Sequence, residues 1–283
     1  MEKFVVNGKY FNYWIDDSCY KPDKFGKSGG RIFKKFFKEF CKNCFKINVD
    51  IACFCKSYED FPLVSREKNA YASICASVES IKNYHIISEL FFKKAENNSA
   101  EQYDKQNNEQ NDKDKRNDKD KRFVDFFIFN KENKGFEAMV EAKRIYKNIY
   151  NKKEQTQKCE DLIKNCIEQT KWYVDNYKTL FDNDKKAESD KNERLCVALF
   201  LAPIYCKQNE RDKRGDEEFY KNGEESIIEL NKTILEINKE LGNNENNSGL
   251  ITGILEWKNI KFNPYSDAGE TISHAYIGAL VLK

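Results

Sequence analysis

The chain reads as an α/β protein with a mixed central β-sheet flanked by helices, and three observations predict this. Residues 122–144, RFVDFFIFNKENKGFEAMVEAKR, alternate with period two on both sides of a polar turn ending in Gly135. Such alternation around an Asn/Gly turn is the hairpin signal. Residues 194–205, RLCVALFLAPIY, form a continuous apolar run, as a strand buried on both faces should. Between them Cys159, Leu162, Ile163, Cys166, Ile167, Trp172 and Tyr173 recur at a rough helical period. Strand, helix and buried strand make a crossover unit.

The 283 residues, 40% hydrophobic, suffice for one substantial core or a core with a smaller attachment. A net charge of +2 does not announce a nucleic-acid binder, so any basic surface must be local. Ten cysteines in a chain of this length, with no charged n-region followed by an apolar h-region at its start, point to a reducing interior. The longest apolar run is too short to span a bilayer. The expectation is a soluble, cytoplasmic protein with no membrane partner.

Taken in order, residues 1–60 form a basic, aromatic attachment. Residues 31–45, RIFKKFFKEFCKNCF, place Ile32, Phe33, Phe36, Phe37, Phe40, Cys41 and Cys44 on one helical stripe, with Lys on the other face. Lys34, Lys35 and Lys38 are the candidate phosphate contacts of that face; the alternative is a docked helix with a solvated Lys face. Cys41, Cys44, Cys53 and Cys55 have a spacing that suggests a zinc or iron–sulfur site. Periodicity argues against one: the first two lie on the apolar stripe, and the last two continue the alternation of Ile47, Val49 and Ile51 in an expected strand. Buried free Cys acts as a small hydrophobe.

A larger domain of residues 61–283 follows. Ser65 can cap a helix running through residues 66–81, with Glu67 in its first turn and Asn83 ending it. Residues 84–93 alternate as a strand, on which His85 and Glu89 share a face. Residues 97–121 hold almost no aliphatic side chain and include a tandem NDKDKR repeat; they are expected to be a disordered insert in a hairpin. After the buried strand come a helix over 217–241 and two strands, over 249–257 and 274–282.

The chemistry sits in the central hairpin. Period two puts Glu141 and Lys143 on one face, and Asp125 can face them across the ladder. Asp125, Glu141 and the carbonyl of Ala142 could hold a hard cation such as Mg²⁺, leaving room for water and phosphate. Lys143 could orient or deprotonate that water, or neutralise developing charge. The plainer reading is an exposed hairpin face with a cross-strand Asp–Lys pair.

The order D-(x15)-ExK, with its acids set in FVDFFIF and MVEAKR, resembles the PD-(D/E)XK nuclease superfamily of restriction-endonuclease-like fold. In motif order it is closest to RecB-like and type II restriction enzymes. The resemblance spans roughly residues 62–205; Val124 replaces the family's Pro. It implies Asp125 and Glu141 as metal ligands, Lys143 as the catalytic lysine, and an acidic residue from the opening helix. Glu67 suits that place best and Glu79 is the alternative. Gln169 and Tyr173 match the QxxxY pattern of RecB-like members, implying a Gln that bonds the lysine or a substrate phosphate and a Tyr that positions it. His85 resembles the RecB-like histidine but follows the helix rather than lying in it, and reads as a polar strand residue. The order α-β-β-β-α-β, then α-β-β, reads as the superfamily core plus an extension.

The implied function is a Mg²⁺-dependent nuclease, with Mn²⁺ able to substitute. DNA is the expected substrate, RNA the alternative, and restriction or defence the expected role, with a homodimer compatible. The rival reading is a non-catalytic nucleic-acid-binding or protein-interaction module on the same fold.

Overall fold

The structure, a computed structural model, describes residues 1–6, 9–25, 29–55, 67–93, 121–130, 132, 136–150, 152–181, 193–243, 246–258 and 269–283. It is mixed α/β, with five α-helices around one nine-stranded, mostly antiparallel sheet among the described residues. The strands are β1 (Glu2–Val6), β2 (Lys9–Asp16), β3 (Tyr84–Lys93), β4 (Lys121–Asn130), β5 (Phe136–Arg144), β6 (Lys147–Asn148), β7 (Glu193–Lys207), β8 (Ser248–Glu256) and β9 (Glu270–Leu282). The helices are α1 (Gly29–Cys55), α2 (Glu67–Glu79), α3 (Lys152–Phe181), α4 (Gln208–Arg214) and α5 (Asp216–Glu240). Spatial order is β1-β2-β8-β9-β7-β5-β4-β3, with β6 beside β7.

β3, β4 and β5 form an antiparallel meander, as their alternation requires. β5 and β7 are parallel, so the chain must cross between them, and α3 makes that crossover. The all-apolar β7 is central: β5 and β6 flank one edge and β9 the other.

Two cores cover the two sheet faces. On one, the Phe-rich stripe of α1, joined by Ala70, Ile74 and Val78 of α2, meets Phe126, Ile128, Ala138, Val140 and Ala142. On the other, Ile163 and Ile167 of α3 and Ile227, Leu230 and Ile234 of α5 meet Ala198, Phe200, Ile254 and Leu280. No helix among the described residues is long and apolar enough to cross a membrane.

The N-terminal region differs from the expected attachment. β2 extends the main sheet through its pairing with β8, and α1 supplies much of one core. Residues 1–55 therefore share the fold of the rest, because nine buried aromatics could not be left on a separate appendage. The strand expected over residues 47–55 is instead helix, continuing α1 to Cys55. Cys44, Phe45, Asn48, Val49 and Ala52 are buried at three- and four-residue spacing, which a helix satisfies and a strand does not. Asn48 fits this buried turn by donating its side-chain N–H to the carbonyl of Cys44 at 2.7 Å. α1 lies close on the sheet at Cys41, where a Cβ on Gly253 would sit 2.5 Å from the sulfur.

Most of the insert, residues 94–120, lies outside the described residues; Lys93 and Lys121, which bound it, pair across β3 and β4. Ser65 is also outside them. Asn83 adopts a left-handed φ of 69° just after α2, consistent with the helix end expected there.

Candidate active site

The site forms where the central meander opens. β4 and β5 are in register from Phe129–Glu137 to Phe126–Val140, and Asp125 lies just beyond that last pair. Its Oδ2 accepts the main-chain N–H of Ala142 at 2.8 Å, so the carboxylate replaces a ladder acceptor where the strands part. On the other side, β3 pairs Ser88 with Phe126 and Leu90 with Val124. Glu89 between them takes a φ of 54°, a conformation that is costly for a residue with a Cβ. The sheet is thus irregular on both sides of Asp125.

Alternation along β5 then decides which way the acid and the lysine point. Ala138, Val140 and Ala142 pack into the α1 core, so Glu141 and Lys143 turn toward α3. Lys143 Nζ donates to Glu141 Oε1 at 2.9 Å and lies 4.0 Å from Asp125 Oδ2. The sequence-predicted trio is therefore brought together, half-buried, with the lysine between two carboxylates.

The electrostatics follow from that burial. Glu141 is only 3% exposed; burial, and then the charge of Asp125, push its carboxyl above the ordinary range. The bond from Lys143 and one from Tyr173 oppose the shift. Burial alone would lower the Lys143 ammonium, but the bond to Glu141 and the two acidic charges outweigh it and raise it. Lys143 is held as a cation, not as a neutral base.

α3 supplies the third wall. Cys166, Gln169 and Tyr173 are spaced three and four residues apart, so they share a helix face. The Cys166 thiol donates to the Glu141 carbonyl at 3.4 Å, and the Tyr173 hydroxyl donates to Glu141 Oε2 at 3.4 Å. Tyr173 thus touches the acid itself. The Oε1 of Gln169 is buried with no hydrogen-bond partner in the protein, an acceptor awaiting a donor. Cys166 was missed at the sequence level; its helical spacing to Tyr173 was the available signal.

Other predicted residues fall elsewhere or beyond description. The Glu67 side chain is outside the described residues. Tyr71, one turn later on α2, packs on Phe126 with ring centroids 4.7 Å apart, on the sheet face that α1 covers. Glu79, the alternative, is engaged at the other end of α2. It accepts the N–H of Ile86 at 3.0 Å and pairs with His85 at 3.3 Å, which removes both Glu79 and His85 from the site. Ala142 is present, with its N–H on Asp125.

Lys34, Lys35 and Lys38 are not brought to the site. They ride on α1, which covers the opposite sheet face. Phe33 and Phe36 pack on Phe136 at the start of β5, five residues and roughly 17 Å of strand before Glu141. Lys34 is paired with Asp17 at 2.5 Å. Cys41 and Cys44 lie in the core with thiols pushed up by burial, Cys44 to about 12; the side chains of Cys53 and Cys55 are outside the described residues.

Among the described residues no group of three or more His, Cys, Asp or Glu side chains is arranged to hold a metal. Two carboxylates do fit Mg²⁺, which usually keeps several waters and takes one or two protein carboxylates beside substrate phosphates. The raised Glu141, crowded by Asp125, is the feature that a divalent cation would relieve. Compared with known proteins, the chain matches no family model, no curated protein and no solved structure.

Proposed function

We propose that the chain is a metal-dependent nuclease that hydrolyses phosphodiester bonds, in DNA first of all, as a restriction-type endonuclease. The observation that carries this reading is the convergence of Asp125, Glu141 and Lys143 at the opening of the β4–β5 ladder. The succession α2-β3-β4-β5-β6-α3-β7, with β5 and β7 parallel, supports it: apart from the two-residue β6 it is the α-β-β-β-α-β order that the resemblance implies.

Asp125 and Glu141, with the Ala142 carbonyl, would hold the cation. When bound, the metal would stabilise charge on the phosphate and lower the pKa of its water. Tyr173 and Cys166 fix Glu141 from behind, keeping its carboxylate oriented and its main chain in place. Asp125 is fixed through the Ala142 N–H. Lys143, already cationic, is suited to bind a phosphate oxygen and neutralise charge there. Gln169 offers its unused carbonyl to the ammonium once Glu141 is otherwise engaged.

The test is incubation of the full chain with plasmid, linear and single-stranded DNA and with RNA, in Mg²⁺, Mn²⁺ or EDTA. Fixed fragments from duplex DNA, abolished by EDTA, are expected. No cleavage of any substrate with either metal would overturn the reading.

A further inference from the structure

α5 carries more apolar surface than its core stripe needs. Phe219, Ile227, Leu230, Ile234 and Ile237 face the sheet, yet Ile228 is 67% exposed. Leu235 and Lys239 follow it by seven and eleven residues and so lie on the same side of the helix. This second stripe walls a cleft of about 670 Å³. The facing wall is the corner after β2, through Asp16, Ser18, Cys19, Lys21 and Lys24. Clefts of roughly 300–1,000 Å³ suit small organic ligands.

The polar groups of the cleft select an anion. Lys21, Lys24, Lys232 and Lys239 line it against Asp16 and Glu236. Glu236 is taken by Lys232 at 3.6 Å, and one oxygen of Asp16 by the N–H of Ser18 at 3.0 Å. Asn231 already accepts the hydroxyl of Tyr276 at 2.8 Å, so its remaining capacity is chiefly as a donor. Donors and positive charge dominate, beside an apolar wall of Ile228 and Leu235. The α5 C-terminus favours cations, but its last carbonyl, on Leu241, is occupied by Lys171 at 2.9 Å.

We infer that this cleft binds a nucleoside phosphate, the base lying on Ile228 and Leu235 and the phosphates on Lys21 and Lys239. It is separate from the Asp125–Glu141–Lys143 site. β7, β9 and β8 intervene between β5 and β2, roughly 19 Å at about 4.8 Å per strand, with α5 between cleft and α3. The site therefore does not depend on the chain being a nuclease.

Calorimetric titration of the full chain with ATP tests it, with adenosine and inorganic triphosphate as partial ligands. ATP should bind once per chain, and each partial ligand at least tenfold more weakly. Lys21→Gln with Lys239→Gln, and separately Ile228→Gln, should each cost at least tenfold in ATP affinity while the chain stays folded by circular dichroism, since all three side chains point away from the core. Asp125→Ala should bind ATP as the wild type does. Absence of ATP binding at millimolar concentration, unchanged affinity in both cleft variants, or loss of binding in Asp125→Ala would each overturn the assignment. So would a short oligonucleotide whose binding responds to these variants when that of ATP does not.

Discussion

Two places in this sheet bury an ionisable group beside a carboxylate on a neighbouring strand, and they come to opposite ends. At the first, Glu141 lies near Asp125, and Lys143 sits between them. At the second, His274 is paired in register with Glu256 across β8 and β9. The imidazole is fully buried, holds Ser273 Oγ at 3.1 Å through Nδ1, and leaves Nε2 without a partner. Burial drives its pKa down to about 4, against the pull of Glu256, whose carboxylate is shared with Asn12 at 2.8 Å and Lys258 at 2.9 Å. Both lie where the sheet is irregular, and the difference is what covers the irregularity. Around Asp125 the strands part and side chains reach an opening. Around His274 the β7–β9 register also slips, from Ile204–His274 to Tyr205–Ile272, but the aromatic rings of Trp14 and Tyr220 close over the imidazole, and nothing charged need remain. An acid beside a base is a candidate site only where the sheet lets a substrate in.

The largest expected effect tests the open site. Asp125→Ala, Glu141→Ala and Lys143→Ala should each leave a folded chain and lower cleavage by about a hundredfold or more. Circular dichroism and a cleavage time course measure the two halves. A Lys143→Ala variant cutting at the wild-type rate would erase the contrast with His274.

The closed site should show itself in stability. His274 has a folded pKa of about 4, below its ordinary value of 6.5. Above pH 6.5 both folded and unfolded chains keep it neutral. As pH falls from 6.5 toward 4 the unfolded chain takes up a proton that the folded one refuses, so stability is lost across that window. The loss should total about 3 kcal/mol by pH 4. Urea denaturation of wild type and His274→Phe at pH 7 and pH 5 isolates it; equal pH slopes would mean that the imidazole is not shielded as described.

A sharper probe of the same enclosure is Gly223. A Cβ there would meet Ser273 Oγ at 2.4 Å and His274 Nδ1 at 2.7 Å. Gly223→Ala should therefore destabilise the chain by about 1–3 kcal/mol through overpacking, despite improving helix propensity. A raised melting temperature would show that the Ser273–His274 pair can yield.

Much of this was legible in the sequence, and the exceptions have physical causes. Alternation gave the meander, and the unbroken apolar run gave β7, because those periods record which faces are buried. Glu141 and Lys143 were placed by the same alternation. The strand expected at Ile47, Val49 and Ile51 failed because a short apolar segment can satisfy both periods, and only its contacts choose; here Asn48 and Ala52 are also buried. The β1–β2 hairpin had a signal, Asn7-Gly8 between apolar alternations, overshadowed by the lysine count. The separation of Lys34 from the site could not be read, since sequence does not say which face of the sheet a helix will cover. Nor does it reveal that Glu79 would be spent on Ile86 and His85, a local bond made only when α2 folds back on β3.

The smallest effect bears on how Glu141 is held. Tyr173 is buried, and its hydroxyl meets Glu141 Oε2 at 3.4 Å, the long end of a hydrogen bond. Tyr173→Phe keeps the ring in its pocket beside Val124, Met139 and Cys196 and removes the hydroxyl with its bond to Glu141. A net bond of this kind is worth about 0.5–1.5 kcal/mol, so kcat/KM should fall by about 2–10-fold, with half-saturation by Mn²⁺ moved upward by a similar factor. Thermal stability should change little, because the ring keeps its packing. If Tyr173 instead stood toward the substrate, the loss would fall on KM for DNA at saturating metal, with the Mn²⁺ requirement untouched. The two dependences, measured on one variant, separate a tyrosine that orients the acid from one that touches the nucleic acid.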